Sequence, residues 1–346
     1  MIKIVIQLLT LHFCVSIFGC QAYTNMDTYL TELHEDGKLN GNVLVTKKKK
    51  IIFEKSFGYT DGSKTTKLNK DYRFNIGSIY KEFPAVAIMQ LKEKDLIDLE
   101  DSVSKYLSDL PEWSRKVSIK NLLQYTSGLP KIGWTEYFAN GINITESHIL
   151  DEIKHIKNLE FEPGSDYLYS NSNPILLIKI IEQVTGSNFY DYVQNALFEP
   201  LKLNGSVFKN QYPYIDRSLM AIPFDTDFKE DNYKIAVESL LLSSTARDMA
   251  IWFEQLAAFT IIDKAAVQLL SEWAKVGSNI QAPLGFGEWI NDRFIEHTHH
   301  GSSGNYECIV RRFKENDITI AILTNQKHGN VYEISDTLYK IVKQNP

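Results

Sequence analysis

Cysteine is scarce, with only Cys14, Cys20 and Cys308 in 346 residues. The first two fall inside or at the end of an apolar N-terminal stretch, so a processed chain keeps one thiol and forms no internal disulfide. Cys308 sits among Tyr306, Ile309 and Val310, the pattern of a buried strand and not the electropositive setting a thiolate nucleophile needs. Positive charge is not in excess: 37 Lys and Arg against 43 Asp and Glu give a net charge of -6, which argues against nucleic acid as a partner. The one basic cluster, Lys47 to Lys50, lies between two short strand-like runs and reads as a solvated hairpin turn. No apolar run reaches the roughly 20 residues that span a bilayer. There is no internal repeat, no low-complexity linker and no G-x-S-x-G elbow, which lowers an α/β-hydrolase reading.

What remains is ordinary globular composition, 44% hydrophobic and 23% charged, long enough for one large domain or two interleaved lobes. Residues 1–19 have the form of an export signal: Lys3, an apolar stretch from Ile4 to Phe18, then small residues. Ile17-Phe18-Gly19-Cys20 is similar to a lipobox, which makes Cys20 a candidate lipidation site and the expected location the periplasm or cell surface. A tether is expected over 20–30. Strand patterns follow at Gly41 to Thr46 and Ile51 to Phe57, and return beyond Pro283, while the middle is helix-dominated. This predicts an α+β fold in which one sheet built from 31–94 and 276–346 carries an inserted helical lobe over 95–275.

Three segments carry the chemistry. Ser78-Ile79-Tyr80-Lys81 fits S-x-x-K; Ser102 to Lys105 and Ser206 to Lys209 fit it too, but only Ser78 follows a glycine and opens a long apolar helix. There the i, i+3 spacing sets Ser78 and Lys81 on one face. A serine hydroxyl is a poor nucleophile until a neighbour takes its proton, and a lysine can do so only when uncharged, a state that apolar surroundings favour. Pro84 predicts a kink near the first turn. Tyr169-Ser170-Asn171 lies between the turn Glu162-Pro163-Gly164 and an apolar helix beginning at Pro174, a place from which a loop can aim a phenol and an amide inward. The third segment, Glu296-His297-Thr298-His299-His300-Gly301-Ser302, precedes a β run. Strand alternation points His297, His299 and Gly301 one way and His300 the other. Its histidines invite a metal reading, but the remaining histidines are scattered without ligand spacing and the Asp of an H-x-H-x-D-H signature is missing. The alternative is a strand edge at the Ser78 site, where Gly301 admits a substrate to the backbone and the Ser302 N–H completes an oxyanion hole.

The order S-x-x-K, Y-x-N, H-x-G (His299 to Gly301) resembles the serine β-lactamase and penicillin-binding family, in particular its class C β-lactamase, D-aminopeptidase and esterase-like branch. The connectors Asn121 to Pro130, Phe161 to Gly164, Phe198 to Leu201 and Ser243 to Asp248 are similar as well. The resemblance implies a β-lactamase/transpeptidase-like fold, an antiparallel sheet flanked by helices with an inserted all-helical lobe, and catalysis by Ser78, Lys81 and Tyr169. It implies substrate contacts from Asn171, His299, Gly301 and Ser302, with no metal or organic cofactor. The implied course is acylation of Ser78 by an amide, ester or β-lactam carbonyl of a small molecule or peptide. Tyr80 stands where the family carries a small hydroxyl residue and His300 where a hydroxyl often grips a carboxylate, while Asn305 and Cys308 replace common Gly and Ser. These departures favour an esterase or peptidase over a β-lactamase. They also motivate an alternative, a non-catalytic module that binds cell-wall fragments or a protein partner.

Overall fold

The computed structural model describes residues 25–279 and 281–344. The expected export signal and Cys20 lie outside them. Strands β1 (Gly41–Lys47) and β2 (Lys50–Phe57) form the predicted hairpin, and β3 (Phe286–Ile290), β4 (Arg293–Ser303), β5 (Tyr306–Phe313) and β6 (Ile318–Thr324) return from the far end of the chain. They make one antiparallel sheet in the order β2-β1-β6-β5-β4-β3. The joining pair is β1 with β6, so the two ends of the chain are stitched together along the middle of the sheet. Lys48 and Lys49 turn the hairpin with φ of 52° and 60°.

Alternation along the strands supplies two cores. Val43, Val45, Ile309, Ile320 and Ile322 pack with Leu30 of α1 (Met26–Glu35) and with Ile334 and Leu338 of the C-terminal helix Val331–Gln344. Leu44, Cys308, Val310, Ala321 and Leu323 face the other way, into the larger core shared with the middle of the chain. The sheet is thus covered on both faces, and burying each set of side chains fixes its register.

Two expectations change here. The tether expected over 20–30 is already helical from Met26: Asn25 accepts from the N–H groups of Asp27 and Thr28, and Tyr29 and Leu30 are buried. The helix Ala246–Ala257 falls inside the span 95–275, yet Leu256, Phe253, Trp252 and Met249 put it against the sheet. An apolar helix face reads the same whichever layer it covers, so the pattern alone could not assign it. The rest of the middle contains α3, our label for Ser172–Thr185, which ends at Gly186 with φ of 69° and packs on α2 (Glu82–Glu93). Short strand pairs, such as Ile144–Thr145 with Ile235–Ala236, lie among its helices.

Candidate active site

Ser78 sits in a 3₁₀ turn, Gly77–Lys81, that runs directly into α2. With three residues per turn, side chains at i and i+3 eclipse, which brings Ser78 and Lys81 together more closely than an α-helix would. The Lys81 Nζ is 3.0 Å from the Ser78 Oγ. The kink expected at Pro84 takes the form of this change of helix type, and Pro84 itself occupies the first turn of α2, where its missing N–H costs nothing. The turn is anchored from below: Asn75 accepts from the Gly77 N–H at 2.9 Å and donates to the Leu240 carbonyl at 2.9 Å.

Tyr169 reaches the same hydroxyl from the loop before α3. Its OH is 3.0 Å from the Ser78 Oγ. The connector 121–130 holds that loop in place. Leu168 donates to the Tyr125 carbonyl, Ser170 to the Pro130 carbonyl, and Ser127 to the Asn173 side chain. The Tyr125 ring lies 4.9 Å from that of Tyr169. Gly128, with φ of 76°, would place a Cβ 2.4 Å from the Phe161 carbonyl oxygen, which explains why two matching connectors meet there. Lys81 is 4% exposed, with its Nζ 4.7 Å from the Tyr80 ring centroid and 5.0 Å from that of Tyr169. It is therefore walled by rings and a hydroxyl, not by water.

A cleft of about 450 Å³ opens over this group. Ser78, Tyr80, Lys81, Asn171 and Ser302 contribute to its polar end, and Trp134, Phe138, Tyr233, Ile235, Leu240 and Leu241 to an apolar wall. The Asn171 Oδ1 and the Tyr80 OH are buried with no partner among the described residues. Ser302 Oγ accepts from the Lys327 Nζ at 2.9 Å.

The third segment is arranged differently from expectation. Gly301 does not open the backbone to a substrate. A Cβ there would stand 2.0 Å from the Ile76 carbonyl oxygen and 3.1 Å from the Ser78 N, so its role is to let β4 touch the Ser78 turn. Gly77, with φ of 53°, repeats this from the other side, its Cβ position falling 2.3 Å from the Ser302 N. His299 was expected to meet substrate, but it is 1% exposed and does not line the cleft. Its Nδ1 is 2.7 Å from Glu82 Oε1. Alternation does place His300 on the opposite face, where its Nε2 approaches Glu307 at 3.2 Å and its ring stacks on Tyr332.

Sequence reasoning missed Glu82. It is fully buried, and its Oε1 accepts from His299 and from the His297 Nε2 at 2.9 Å, while Oε2 accepts from the Trp252 Nε1 at 2.7 Å. Burial alone would raise its carboxyl, but the charge and hydrogen bonds of His297 and His299 outweigh that and hold it down to about 2. Burial pushes His299 below its ordinary value, against the pull of Glu82. The signal was available: a carboxylate in an otherwise apolar helix run, next to the lysine.

Comparison with known proteins identifies the family and the fold. A family model described as Beta-lactamase matches residues 26–344. Penicillin-binding protein 4* of Bacillus subtilis is 26% identical over 338 residues, 89% of this chain and 73% of that protein. Teichoic acid D-alanine hydrolase of Staphylococcus aureus is 29% identical over 195 residues, 56% of this chain and 46% of that protein. Among solved structures, a penicillin binding protein from Bacillus halodurans superposes with a TM-score of 0.79 at 22% identity, covering 90% of this chain and 99% of that one. The last is a likeness of fold.

Proposed function

This chain belongs to the β-lactamase family, and from that premise we propose that it is an exported serine hydrolase that forms an acyl-enzyme at Ser78 on an amide, ester or β-lactam carbonyl. The observation that carries the reading is the pair of hydrogen bonds, both 3.0 Å, that Lys81 and Tyr169 make to one serine oxygen. An uncharged amine or a phenolate at that distance can take the Ser78 proton as the oxygen attacks, and either can return a proton to the leaving group. The Ser78 and Ser302 amides belong to two backbones in direct contact, the arrangement an oxyanion hole requires. Asn171 at the polar end orients the acyl donor, whose apolar part lies along Trp134 and Phe138. Water then releases the acyl group, with no metal or organic cofactor needed.

Export and anchoring through Cys20 complete the reading. Their support is the N-terminal pattern, and among the described residues no helix is long and apolar enough to cross a membrane. Incorporation of a lipid precursor at Cys20 in cells tests the anchor.

The decisive experiment is covalent labelling. A fluorophosphonate probe should add its mass to Ser78 in the wild type and not in Ser78→Ala. A folded wild-type protein unmodified after long exposure to both fluorophosphonate and penicillin would overturn the proposal.

A further inference from the structure

The cluster behind the nucleophile is more elaborate than packing requires. Glu82, His297, His299 and Trp252 come from α2, β4 and the helix Ala246–Ala257, and the carboxylate and both imidazoles are almost wholly removed from water. A carboxylate accepts and cannot donate, so each nitrogen that touches it must carry the proton. This assigns the proton of His297 to Nε2, which also faces the Leu284 carbonyl at 3.1 Å, and that of His299 to Nδ1. The other nitrogens, His297 Nδ1 and His299 Nε2, are buried and have no partner among the described residues. The Phe253 ring stacks on His297 at 4.0 Å and completes the dry surround. Of the charged groups that act on His299, Glu82 favours its cation, while Lys81 and His297 oppose it, as does burial.

Building on the functional reading above, we propose that Glu82 is a positioning residue that locks His299 in its Nδ1–H tautomer, so that the buried imidazole keeps Nε2 as a bare nitrogen behind the Ser78 turn. The consequence is local, because Glu82 follows Lys81 directly in the chain and His299 lies two residues before Gly301, whose backbone meets the Ser78 turn. A cation or a competing donor placed there would work against Lys81 as a proton acceptor, whereas an uncharged acceptor would not. The tautomer of His299 is thus set by a residue that touches neither Ser78 nor the cleft.

Two measurements test this on the full chain. Imidazole nitrogen NMR of the wild type near pH 7 should show His299 protonated on Nδ1 and bare on Nε2. A proton on His299 Nε2, or on both of its nitrogens, overturns the proposal without any variant being made. In Glu82→Gln the amide presents N–H as well as C=O to the donors. The His299 pattern should then change, and kcat on a simple ester should fall about 10–100-fold with KM within about twofold. Trp252→Phe removes only the Oε2 donor and should keep the wild-type nitrogen pattern. A folded Glu82→Gln with wild-type kcat also overturns the proposal. The two readings fail separately: an unlabelled Ser78 in the wild type sinks the hydrolase, while the nitrogen pattern is read without turnover.

Discussion

Replacing Gly301 with alanine tests whether the site depends on two backbones touching. Gly301 lies in β4 and is not among the glycines with positive φ, so alanine can adopt its conformation and backbone strain is not the issue. The added methyl would stand 2.0 Å from the Ile76 carbonyl oxygen. A carbon–oxygen contact needs about 3.3 Å, so β4 and the Ser78 turn must part by about 1.3 Å. No side-chain rotation relieves this, because the obstructing atoms are backbone. Overpacking of this kind costs about 1–3 kcal/mol of stability. The effect on chemistry should be larger in proportion, since about 1 Å of misplacement at a reacting centre costs on the order of 100-fold. The assay is the second-order rate of Ser78 labelling by a fluorophosphonate, followed by intact mass at a temperature where circular dichroism shows the variant folded. A folded Gly301→Ala that is labelled within about threefold of the wild-type rate would refute the contact argument. Gly77→Ala attacks the same contact from the Ser78 turn and adds the cost of φ at 53°. It should be at least as damaging.

Tyr169→Phe removes one of the two hydrogen bonds on Ser78 and keeps the ring against Tyr125. The labelling rate should fall about 10²–10⁴-fold with the thermal midpoint nearly unchanged, and a rate at the wild-type level would remove Tyr169 from the proton path. Stability should decline with acid in two stages. Burial pushes His299 down, so the unfolded chain binds more protons once pH drops below about 6.5. Glu82, at about 2 when folded against an ordinary 4.5, contributes stability above pH 4.5 that is lost as pH falls toward 2, on the order of 3 kcal/mol. Urea midpoints measured across pH 7 to 2 should fall, with Glu82→Gln flatter below 4.5. A wild-type midpoint that rises over that lower window would contradict the assignment.

Much of this arrangement could be read from the chain, and the parts that could not share a physical cause. The hairpin, the returning strands and α3 declare themselves by period and by turn residues, and the S-x-x-K turn declares itself by the long apolar helix it opens. Ser78, Lys81 and Tyr169 do come together, because local spacing sets the first pair and a connector with its own signature sets the third. Gly301 and His299 were located correctly but given the wrong neighbours. Their partners, Ile76 and Glu82, lie more than 200 residues away, and no periodicity within β4 reports which backbone or carboxylate will arrive there. The helix Ala246–Ala257 is the same problem at larger scale: its apolar face is evident, its covering layer is not.

The departures at Tyr80 and His300 looked equivalent in the sequence, and the structure separates them. His300 points away from the cleft and engages Glu307 and Tyr332, so its identity cannot govern how a carboxylate is held there. The hydroxyls this segment brings to the cleft belong instead to Ser302, to which Lys327 donates, and Ser303. Tyr80 lines the cleft beside Lys81, with its OH unpartnered and burial pushing it well above the ordinary phenol value. It is therefore a neutral hydroxyl at any physiological pH, available to a substrate polar group and unable to compete for the Ser78 proton. In the proposed function the proton machinery comes from the Ser78 turn and the Tyr169 loop, while the apolar wall of the cleft comes from Trp134, Phe138 and the 233–241 segment. In that reading, changes along the wall would alter which acyl group fits without moving Ser78, Lys81 or Tyr169.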